Sequence, residues 1–164
     1  MARHADRQDS KPCAPVSRHL PGPPLLRHYP HHELVAWQPR DTLDDAMLDQ
    51  IADWLVSVEK SFDPFKRFID LSRLGAVAIT THHLFEFARR RAKEFSRTGS
   101  VRAALFCEEW VGFGIARMYE ALMAHTRIEA RAFQDLSGAA QWLDVPVDVL
   151  ELKDEPVAHH IPPD

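Results

Sequence analysis

The apolar positions of this chain switch repeatedly between the two-residue repeat of a strand and the three-to-four-residue repeat of a helix. The switch is clearest over residues 101–125. An apolar run, 101–107, reads as a buried strand. Glu108 and Glu109 interrupt it. Val111, Ile115, Met118 and Leu122 then fall at i, i+4, i+7 and i+11, which predicts one buried helix face. A strand that feeds straight into an amphipathic helix is half of an α/β crossover unit.

The same alternation organises the rest. Residues 25–29 and 33–37 are short strands separated by the turn Pro30-His31-His32, a candidate antiparallel hairpin ended by Pro39. Thr42 opens a first helix, with Asp45 three residues on in a capping-box-like arrangement. Met47, Ile51, Leu55 and Val58 form its stripe, and Asp63-Pro64 breaks it. Residues 65–71 are a third strand, and the segment 72–81 that follows holds an apolar piece at 75–79.

Thr80 or Thr81 caps a second helix with Leu84, Phe87, Ala88, Ala92 and Phe95 inward. Glu86, Arg89, Arg90 and Lys93 lie outward, and Arg91 is read with them as a solvated basic strip. Thr98-Gly99-Ser100 turns the chain into the 101–125 unit. Residues 128–133 are a further strand, Ser137 caps a short helix over 138–143, and 147–152 is an edge strand or a surface segment. The order β-β-α-β-α-β-α-β-α predicts an α/β domain, a mostly parallel mixed sheet of about five strands with about four helices.

Composition narrows the class. A chain of 164 residues with 45% hydrophobic and 27% charged residues can bury one sizeable core, so one α/β domain over 25–152 is expected. Five Pro residues between Pro12 and Pro24 predict a disordered arm over 1–24, and 153–164 reads as a disordered acidic tail. Residues 1–28 hold five Lys/Arg and two Asp, whereas 144–164 hold six acids and one Lys. With a net charge of -4, this uneven distribution predicts solvated tails and gives no pull toward nucleic acid. The N-terminus lacks an apolar signal core, no apolar run approaches the ~20 residues of a membrane span, and Cys13 and Cys107 make no disulfide framework. A cytoplasmic location is the expectation.

Two segments carry a family resemblance. VGFGIARMYEALMA (111–124) leads into EARAFQDLSGAAQWL (129–143), and KRFIDLSRL (66–74) lies upstream. Over residues 25–145 the chain resembles the SpoIIAA-like (STAS/SEC14-type) family of small bacterial proteins. The resemblance implies a SpoIIAA-like fold and a non-enzymatic module that binds a protein partner. In the sporulation branch of the family a serine at a helix start is phosphorylated to switch binding. Here AITTHHL (78–84) puts Thr80 and Thr81 where an Asp-Ser pair would stand, and His82 and His83 where glycine would follow. Thr81 is therefore the candidate switch. The SEC14 likeness implies, as an alternative, a small apolar or lipid-like ligand in a pocket between helices, lined by Phe85, Trp110, Phe113 and Tyr119.

The candidate binding surface is the pair of helix starts, Thr80, Thr81, His82 and His83 with Glu109, Trp110, Phe113 and Gly114, which crowd together above the strand C-termini in such a sheet. No catalytic residue, metal site or cofactor is expected. The histidine pairs lack a zinc-ligand spacing, and no glycine-rich phosphate loop follows a strand. Gly112 and Gly114 each cost about 1 kcal/mol in a helix. Close packing against a neighbour, in the same chain or across a homodimer, is the reading that offsets it.

Overall fold

The computed structural model describes residues 27–61, 65–95 and 99–152. The expected arm 1–24, the tail 153–164, Cys13 and the Asp63-Pro64 break lie outside these residues.

Strands β1 (Arg27–Tyr29), β2 (Leu34–Trp37), β4 (Lys66–Asp70), β6 (Val101–Phe106) and β7 (Ile128–Phe133) form one sheet in the order β1-β2-β4-β6-β7. β1 pairs antiparallel to β2 across a single 3-10 turn, Pro30–His32, that ends with Glu33 at φ 50°. The other pairs are parallel, with Phe68 opposite Ala36 on one side and Ala104 on the other. The mostly parallel α/β sheet is thus present with the expected five strands.

Strand alternation divides the molecule into two layers. Val35, Trp37, Val101, Ala103 and Leu105 face α1 (Asp45–Ser61), α2 (Thr81–Glu94) and α3 (Trp110–Met123). Leu34, Ala36, Phe68, Ala104 and Phe106 face α4 (Leu136–Leu143) and the short α5 (Val147–Leu150). Each of α1–α3 leaves the C-terminal side of a parallel pair and returns to start the next strand, so their N-termini share one edge of the sheet.

Several local expectations change. Residues 41–44 are a strand, β3, paired in parallel with β5 (Leu74–Ala78) as a separate two-stranded ribbon. The chain beyond β2 thus pairs in parallel with the chain beyond β4, with a register shift between Asp41 and Thr42. Thr42 lies in β3, and Asp44 caps α1 by accepting from the Met47 N–H at 2.8 Å. Asp135, not Ser137, caps α4 through the Gly138 N–H. Residues 147–150 are helical, and Leu150 is buried under α4.

Two corrections concern helix faces. In α3 the buried positions are Gly112, Ala116, Tyr119 and Met123, the expected spacing moved on by one residue. Ile115, Met118 and Leu122 flank that seam half-buried, and Val111 is 70% exposed. The seam begins with small residues because the helix lies close to the end of β6. A Cβ on Gly112 would overlap the Cys107 Sγ, whereas one on Gly114 meets nothing within 4 Å. Close packing in the same chain therefore accounts for Gly112 alone. In α2, Arg91 is fully buried rather than part of an exposed strip. Arg90 pairs with Glu94 and Asp53, and Glu86 pairs with Arg89.

Candidate functional site

The two helix starts are built differently. At α2, Thr80 is the N-cap, and its hydroxyl accepts from the His83 N–H at 3.2 Å. The same hydroxyl and the Thr80 N–H donate to the two oxygens of Asp45, both at 2.9 Å. These bonds hold the Asp45 carboxyl below its ordinary range, the backbone N–H contributing most. His83 Nε2 lies 3.1 Å from Asp49 Oδ1. The starts of α1 and α2 are thus clamped together by side chains one turn apart. Thr81 and His82 are exposed and take no part in the clamp.

At α3, Glu109 is the N-cap residue without a side-chain cap bond, and its carbonyl accepts from Phe113 N–H at 2.9 Å and from the Cys107 thiol at 3.4 Å. Burial raises the Cys107 pKa, so this thiol stays protonated at neutral pH. Glu108 and Glu109 are exposed at the positive end of the helix, where negative charge is favourable. Trp110 is 76% exposed and meets the half-buried Phe113 ring edge-on, with centroids 6.4 Å apart. Gly114 is exposed next to them.

The structure therefore brings Thr80 and His83 together, and Trp110 and Phe113 together. Among the described residues no hydrogen bond, ion pair or ring contact joins the two groups. The four residues expected to line an apolar pocket also separate. Phe85 and Trp110 point to solvent, and Tyr119 is buried against Phe87 with centroids 5.7 Å apart.

A second set of residues escaped the sequence reading. Arg67 of β4 and Arg91 of α2 both donate to Glu59 of α1 beneath the helices. Arg67 also faces the Phe95 and Phe65 rings, 5.2 and 5.8 Å from their centroids. Burial lowers its pKa to about 10, so it remains charged at neutral pH. Burial raises the pKa of neighbouring Tyr119. The signal for Arg67 was present, because strand alternation puts it on the face of Phe65, Ile69 and Leu71.

Beside this cluster, between the sheet and α1–α3, lies a cavity of about 70 Å³. Among the described residues, no group of three or more His, Cys, Asp or Glu side chains is placed to hold a metal ion, and no helix is long and apolar enough to cross a membrane.

No protein-family profile matches the chain, and no curated protein matches it. Among solved structures, it is similar to an uncharacterized protein from the DUF3478 family with a SpoIIAA-like fold, from Shewanella loihica PV-4. The two share 19% sequence identity, over 67% of this chain and 83% of that one, with a TM-score of 0.45. That neighbour's fold is the one the sequence resemblance implies; the α/β class of this chain stands on the strand order and register given above.

Proposed function

We propose that this protein is a non-enzymatic binding module that docks a protein partner through the start of α3, with the clamped start of α2 on the same edge. One observation carries the reading: Trp110, 76% exposed, and Val111, 70% exposed, stand side by side at a helix start. Tryptophan is enriched at the energetic centres of interfaces, and contiguous exposed apolar surface marks contact sites. Glu108 and Glu109 precede them, so the fitting partner offers an apolar pocket rimmed by Lys or Arg. Thr81 is the switch position. A negative charge there stands next in the chain to Thr80, whose bonds to the Asp45 carboxylate it opposes by like-charge repulsion.

The test uses the full chain as bait in native extract, with captured proteins identified by mass spectrometry. A partner that is held by the wild type, released by added salt, weakened by Thr81→Glu and lost with Trp110→Ala supports the reading. Equal capture by wild type and Trp110→Ala overturns it. Trp110→Ala should change stability by no more than about 0.5 kcal/mol, because the side chain is mostly in water. Sedimentation velocity covers the homodimer: self-association that Trp110→Ala abolishes makes a second copy the partner. A lipid-like ligand fits less well, because the cavity of about 70 Å³ is far below the ~300 Å³ or more of drug-sized ligand sites.

A further inference from the structure

The cavity between the sheet and α1–α3 has an unusual polar balance. Its wall is apolar, with Leu55, Ala103 and Ile115 among its residues, except where Trp37, Arg67 and Tyr119 enter. Arg67 is the one charged residue of that wall. It is 3% exposed at the side chain, and its Nε–H has no acceptor. The Trp37 Nε1–H, also buried, has none either. The neighbouring Arg91 Nε–H shares this state.

Among the described residues, the buried side-chain atoms left without a partner are all nitrogens, and no oxygen is among them. Buried polar groups are otherwise almost always satisfied. For Arg67 and Trp37, which both line the cavity, the deficit is therefore one of acceptors.

The size of the space limits what can supply them. A cavity of ~150 Å³ admits benzene, and a water molecule's share of the liquid is ~30 Å³. The observed volume of about 70 Å³ thus suits a molecule of roughly three to five non-hydrogen atoms. A carboxylate offers two acceptor oxygens with several lone pairs and pairs well with guanidinium. A short alkyl end suits the aliphatic wall.

We propose that this cavity is a binding site for a short-chain monocarboxylate of two or three carbons, its carboxylate taken by the Arg67 and Trp37 N–H groups. The site is separate from the α3 docking surface and stands or falls independently of it. It shares only Tyr119 with the residues expected to line a pocket.

Isothermal titration of the full chain with sodium propionate at constant ionic strength tests this, with 1-propanol and sodium chloride as comparison titrants. Saturable one-to-one binding of propionate, absent with both comparison titrants, is expected. Trp37→Phe removes one donor while keeping an aromatic side chain, and should weaken propionate binding roughly tenfold or more. Ala103 is the register partner of Arg67 in β6. Ala103→Val adds two methyl groups beside the Arg67 stem and should abolish binding. Absence of saturable propionate binding to the wild type overturns the proposal. Equal binding of 1-propanol overturns the role of the Arg67 and Trp37 donors, as does unchanged affinity in Trp37→Phe.

Discussion

Replacing Gly112 by alanine is the sharpest probe of the strand-helix unit at residues 101–123. Two terms compete. Alanine is favoured over glycine in a helix by about 1 kcal/mol. The new methyl, however, would overlap the Cys107 Sγ and lie 3.4 Å from the Cys107 Cβ. Overpacking of this kind costs about 1–3 kcal/mol. The sulfur cannot swing aside freely, because the thiol donates to the Glu109 carbonyl at 3.4 Å and lies 3.8 Å from that of Leu71.

The net expectation for Gly112→Ala is a loss of up to about 2 kcal/mol. Gly114→Ala is the internal control. It sits in the same helix with nothing within 4 Å of its Cβ, so only the propensity term acts and a gain of up to about 1 kcal/mol is expected. The two variants should therefore differ by about 1–3 kcal/mol, read from urea denaturation followed by circular dichroism. Cys107→Ala removes the overlapping sulfur. In the double-mutant cycle it should recover about 1–3 kcal/mol of the Gly112→Ala loss. If Gly112→Ala stabilises as much as Gly114→Ala, or the cycle shows no coupling, the close contact between α3 and the end of β6 is not what the glycine serves.

Two further outcomes follow from buried and clamped charge. Glu59→Ala leaves Arg67 and Arg91 without their shared carboxylate and should cost about 3–5 kcal/mol, whereas Arg91→Met keeps the Arg67–Glu59 pair and should cost clearly less in the same denaturation assay; equal losses would contradict the shared-carboxylate arrangement. The lowered pKa of Asp45 means that its bonds to Thr80 favour the charged form, so its contribution is present above about pH 4 and is lost as pH falls through the folded-state value. Asp45→Asn should accordingly flatten the stability profile below about pH 4, and an acid limb identical to wild type would refute the clamp.

How much of this was legible depends on the range of the forces involved. The five main strands and the starts of α2 and α3 follow from short local patterns, because alternation and the i, i+4 spacing are set by backbone geometry alone. The candidate binding surface was legible only as two separate helix starts. Thr80 shows itself as a cap, but its bonds to Asp45 join residues 35 apart in sequence. The exposure of Trp110 runs against the apolar pocket that the family resemblance implies for it as the alternative.

What the chain determines by itself is its α/β order, the hairpin at its beginning and the class of helix-strand unit at 101–123, since each is written in local periodicity and turn chemistry. Tertiary structure decided the rest. The polar segment Asp41–Asp44 became a strand because β5 lay alongside to take its backbone hydrogen bonds. Arg91, on the core side of α2 one turn beyond Phe87, went inward because Glu59 of another helix was there to meet it. The seam of α3 passed from Val111 to Gly112 because the space beside Cys107 admits no side chain. In the first two cases a partner distant in sequence set the outcome, by backbone pairing and by an ion pair; at Gly112, packing against nearby Cys107 outweighed the local preference for the largest apolar residue.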